Sequence, residues 1–124
     1  MSNFDMSNYI DVKTKIQMFL KAFPEGSLQF EFKGACAHNP DMIWGIAYAY
    51  RTADDTKPGV GTAQELAIGK TSYTRGSELQ NLESSCWGRA ISALGIGLEK
   101  GIATLEEVAN AIDRGETKPL ETKP

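Results

Sequence analysis

The chain has no long apolar run. Across 124 residues the longest stretches fall far short of the ~20 needed to cross a bilayer, which excludes a helical membrane span. It has two cysteines and one histidine. That is too few for a disulfide-stapled scaffold, and a structural zinc site takes four ligands where Cys36-Ala37-His38 supplies two. Nor is there an excess of positive charge: 13 basic residues face 16 acidic ones, a net charge of -3. Attraction to nucleic acid by bulk charge alone is thereby excluded. The N-terminus, Met1-Ser-Asn-Phe-Asp5, lacks the basic and apolar run of a secretory signal. The expectation is a protein of the cytoplasm whose Cys36 and Cys86 are reduced and buried.

Catalytic constellations are missing too. Gly69-Lys70-Thr71 has the ending of a phosphate-binding loop, but the pattern requires glycine where Gln64 stands, and Ser77 lies six residues past Thr71. Asp54 and Asp55 sit in a turn, where aspartate serves the backbone. No serine, threonine or cysteine has a nucleophile's context beside a histidine. The sequence predicts a non-enzyme with no metal and no cofactor.

What is present is an ordinary globular composition, 41% hydrophobic and 23% charged, sized for one domain over 1–115 with a charged, disordered tail over 116–124. Tyr9, Val12, Ile16, Phe19 and Phe23 recur at helical spacing, with Asp11, Lys13, Lys15 and Lys21 largely off that stripe, and Pro24-Glu25-Gly26 stops the helix. Leu28, Phe30 and Phe32 alternate with polar residues as a strand does. Residues 37–41 form a connection. From Met42 to Arg51 one strand face is large (Met42, Trp44, Ile46, Tyr48, Tyr50) and the other small (Gly45, Ala47, Ala49), inviting close approach of a helix. A polar turn and a strand over about 60–68 complete a hairpin, and 69–76 reads as a flexible, partly basic loop. Ser77 and Gln80 predict a capping box opening a helix with Leu79, Leu82, Cys86, Ala90, Ala93 and Leu94 inward. Thr104 and Glu107 predict a last helix. The fold class is α+β: an N-terminal helix, a three-stranded antiparallel β-meander and two helices on one sheet face, in the order α-β-β-β-α-α.

Between Met42 and Lys100 six basic residues balance six acidic ones, so the net negative charge lies in the flanks. The neutral middle gathers Lys70, Tyr73, Arg75, Trp87 and Arg89 around a loop-to-helix junction, cations that suit phosphates and aromatics that suit bases. The same residues also suit plain packing and ion pairs with Glu78 or Glu83.

The stretch Tyr73-Thr-Arg-Gly-Ser-Glu78, the helix Asn81-Leu-Glu-Ser-Ser-Cys-Trp-Gly-Arg-Ala-Ile-Ser-Ala-Leu-Gly-Ile96 and Gly101-Ile-Ala-Thr-Leu-Glu-Glu-Val108 resemble a family of small phage proteins. Its mark is a G-R-A helix followed by an I-A-[ST]-x-E-E-V segment. Pro24–Gln29 and Ala47–Arg51 add to the likeness, which spans most of 9–112. The helix after a β-meander is in turn similar to the phage single-strand annealing proteins of the Erf and Sak types. That resemblance implies a DNA-recombination or replication accessory protein, homo-oligomeric, binding single-stranded DNA beside the sheet through Arg51, Lys57, Lys70, Tyr73, Arg75 and Arg89, and working with host or phage recombination proteins in the host cytoplasm. The alternative is a protein-binding module that engages or inhibits a host protein without touching nucleic acid. Trp44, Tyr48, Tyr50, Trp87 and Ile91 supply more large apolar surface than one sheet–helix contact hides, which predicts self-association.

Overall fold

The computed structural model describes residues 10–71 and 74–98. The elements in chain order are α1 (Val12–Ala22), β1 (Ser27–Cys36), β2 (Asn39–Tyr50), β3 (Gly59–Leu66) and α2 (Glu78–Ser92). The strands form one antiparallel sheet in the order β1-β2-β3, an α+β arrangement with two helices. The helix expected from Thr104 and the tail from Glu116 lie outside the described residues. No described helix is long and apolar enough to cross a membrane.

The asymmetry of β2 organises the core. Its small face is fully buried at Ala47 and Ala49, and joins Phe19, Leu82, Cys86, Ala90 and Ile91 in one cluster. Gly59 and Gly61 on β3 continue that surface. A Cβ at Gly61 would run into the backbone of α2 at Cys86 and Ala90, and one at Gly59 into Ala90. Helix and strand therefore touch backbone to backbone. Each large side chain sealed beneath α2 contributes roughly 1.5–3 kcal/mol by leaving water.

α1 opens on Asp11, whose carboxylate accepts the Thr14 amide at 2.8 Å. Val12 and Phe19 are buried as the periodicity predicts, but so is Lys15, expected on the polar side. Its Nζ donates to Ser92 Oγ at 2.6 Å and to the Gly88 carbonyl at 3.5 Å. The last turn of α2 carries the negative end of the helix dipole and accommodates this ammonium. Phe32 is 51% exposed and Leu79 54% exposed, against expectation. Both have the right period but lie beyond the reach of the opposing element. Ile91, expected among the surplus apolar residues, is fully buried.

The junctions differ as well. β1 and β2 are joined by a two-residue turn, Ala37-His38, with Cys36 paired to Asn39, so the connection is shorter than the five residues expected. Ser77 is the N-cap of α2, but its side chain makes no capping bond. Its hydroxyl donates instead to the Thr74 carbonyl at 3.3 Å and accepts from Asn81 Nδ2 at 3.3 Å. Glu78 takes over the junction: its carboxylate accepts the Gly69 amide at 2.9 Å and the Gly76 amide at 3.1 Å. The described part of the 69–76 loop is tied down by these bonds rather than loose.

Candidate nucleic-acid interface

β3 is an edge strand, and the cations singled out from sequence are distributed along it. Arg51 and Lys57 stand at the β2–β3 turn, where β3 begins. Lys70 and Arg75 follow its far end, roughly 23 Å away by strand geometry. Arg89, on α2, lies between. Tyr73 lies outside the described residues. The five described cations thus form two end groups and a middle one rather than a single cluster.

Their local engagements differ. Arg51 is committed to the turn: Nε and Nη2 meet the two oxygens of Asp55 at 2.8 and 2.9 Å, and Nη2 also donates to the Lys57 carbonyl at 2.8 Å. The Asp55 carboxylate further accepts the backbone amides of Arg51 and Lys57, at 2.9 and 3.0 Å. The bidentate Arg51 contact, with those amides, holds the Asp55 carboxyl well below the usual carboxylate range. The Asp55 side chain is 7% exposed. Arg51 shapes the hairpin end, and Lys57 beside it is exposed.

At the other end Arg75 donates from Nε to the Gly69 carbonyl at 3.2 Å and from Nη2 to the Lys70 carbonyl at 3.4 Å. It braces the loop while remaining exposed, as does Lys70. Hydrogen bonds from the Gly69, Glu78 and Gly76 amides, with Arg75 nearby, lower the pKa of Glu78. Thr74 is buried beside Thr71, their hydroxyls 3.1 Å apart.

Arg89 is exposed on the last turns of α2. With Ser92 and Ala93 it forms one wall of a groove of about 310 Å³ whose other wall is Val60, Gly61 and Thr62. The close approach of helix and strand at Gly61 places the Arg89 backbone directly over β3, which is why this cation borders the sheet edge. Buried Lys15 holds the same turn of α2 through Ser92 and Gly88.

The outward face of the sheet carries what sequence reasoning left without a site. Trp44, Ile46, Tyr48 and Tyr50 are half-buried in a row along β2, and the Tyr48 and Tyr50 rings stack with centroids 6.2 Å apart. Tyr48 Oη meets Glu31 at 3.4 Å, and its pKa is raised by burial and by that carboxylate. Beyond this row is a hollow of about 570 Å³ between Trp44, residues 35–38 and residues 62–64. Nothing in the spacing of these residues announced it, because it depends on how the β1–β2 hairpin bends. Cys36 and Cys86 are both buried and form no disulfide. Among the described residues no group of three or more His, Cys, Asp or Glu side chains is placed to hold a metal ion.

No family model, no curated protein and no solved structure matches the chain.

Proposed function

We propose that this chain is a phage DNA-recombination or replication accessory protein that binds single-stranded DNA without catalysis and promotes strand annealing as a homo-oligomer. The observation that carries the reading is the groove between β3 and the end of α2, walled by Arg89 and lying between Lys57 at one end of the strand and Lys70 and Arg75 at the other. A sugar-phosphate chain laid along this edge meets cations at intervals, and the aromatic row on the adjoining face offers stacking surfaces. Arg51 acts in this reading as a positioning residue that shapes the hairpin presenting Lys57. The likeness to the annealing proteins lends the same direction. The outward aromatic row also suits a second copy of the chain.

Fluorescence anisotropy with a labelled oligonucleotide tests the proposal. Micromolar binding at low salt is expected, weakening about tenfold or more between about 50 and 200 mM salt. Arg89→Glu combined with Lys57→Glu should lower affinity at least about tenfold and flatten the salt dependence. No binding at micromolar protein and low salt overturns it. The exposed Phe32, Leu79 and Ile68 would then favour a protein partner instead.

A further inference from the structure

The hollow beside Trp44 is built by a distortion of the sheet. The pairing of β1 with β2 is interrupted between Phe32 and Gly34 and again between Ala35 and Cys36. Gly34 sits at φ +100°, a conformation that L side chains rarely adopt. Such irregularities bend a strand and re-aim its side chains. Here they carry the hairpin tip across the sheet until Cys36 Sγ lies 3.4 Å from Gln64 Oε1, although β2 runs between the two strands. Trp44 and Gln64 are cross-strand partners beneath this arch.

The lining specifies the kind of guest. It contains an indole, the small apolar side chains of Ala35, Ala37 and Ala63, and the polar groups of Thr62, Gln64 and His38. No lysine, arginine, aspartate or glutamate lines it, so it suits neither a phosphate nor an ammonium. A flat ring with hydrogen-bonding edges matches it: indole for stacking, and an amide and a hydroxyl that each can donate and accept. Its volume falls in the range of pockets that enclose small organic groups. Thr62 also lines the Arg89 groove, so the two depressions adjoin.

We infer that this hollow is a nucleobase subsite: one base of a single strand whose phosphate lies at Arg89 turns into it, stacks on Trp44 and hydrogen-bonds Gln64. The inference rests on the single-strand reading and adds a base contact to a phosphate contact. Because amide and hydroxyl both donate and accept, the subsite accepts every base and favours sequence-tolerant binding.

The test compares a base-bearing oligonucleotide with an abasic one of equal length, by anisotropy at fixed salt. The wild-type chain should bind the abasic strand about tenfold more weakly, the range expected when base–aromatic stacking is lost. Trp44→Leu should lose about tenfold on the base-bearing strand and nothing on the abasic one. Gln64→Ala, at an exposed strand position, should reproduce a severalfold part of that selective loss, and serves should Trp44→Leu fail to fold by circular dichroism. If wild type binds both strands equally, or if the variants keep the wild-type difference or lose both strands alike, the subsite is overturned while salt-dependent phosphate binding stands. If neither strand binds, both readings fall.

Discussion

The two faces of β2 are one residue out of phase and have opposite characters. Inward, Ala47 and Ala49 are sealed and glycine on β3 admits the α2 backbone. Outward, Trp44, Ile46, Tyr48 and Tyr50 are larger yet only half-buried. The small residues hold the fold, because they set how near the helix comes. The large ones are sealed less completely, because α2 packs on the inward face. Side-chain size is thus a poor guide to structural importance here, and an aromatic row left partly exposed leaves room for contact with something else.

Four substitutions sharpen or break that contrast. Gly61→Val should be the most damaging, costing about 3 kcal/mol or more, because its side chain would meet α2 backbone. Chemical denaturation monitored by circular dichroism measures it, and a stable Gly61→Val protein would mean the helix can slide. Leu82→Ala, in the sealed cluster, should cost about 2–5 kcal/mol in the same assay, depending on how far the site collapses. Asp55→Asn should act through pH. The folded carboxyl titrates below its unfolded value of about 3.9, so its contribution is complete above that pH and is lost as pH falls toward the folded pKa. The thermal midpoint of the wild-type chain should therefore drop more steeply below about pH 4 than that of Asp55→Asn. Tyr48→Ser should be mildest, about 1 kcal/mol in stability, because a half-buried ring stacked on Tyr50 is lost. A loss near that of Leu82→Ala would show that the outward face is as structural as the inward one.

The element order through α2 was legible because period-two and helical spacings survive folding wherever one face is dry. The small face of β2 is buried at Ala47 and Ala49, but the closest approach of α2 is at Gly59 and Gly61 of β3. Lys15 was misread because its charge outweighed its position: it lies three residues after Val12 and four before Phe19, squarely on the buried line, and only the carbonyl and hydroxyl at the end of α2 make that tolerable. Leu79 and Phe32 failed the other way, since periodicity says nothing about where the opposing element ends. Ser77 and Gln80 had capping spacing, but Glu78 reached two loop amides first. The cations of the candidate interface were visible one by one. That Arg51 is spent on Asp55, and that Arg89 faces the strand edge, required coordinates. The Trp44 hollow had no linear signature, because it arises from pairing irregularities between distant residues.

Trp87 leans from α2 to the opposite margin of the sheet, where its indole nitrogen donates to the Gln29 carbonyl at 3.3 Å. Unsheathed strand margins recruit foreign strands and seed aggregation. A chain seeking to add to β1 at that register must first evict an indole, so lateral growth is discouraged on that side. The sheet is left with one guarded margin.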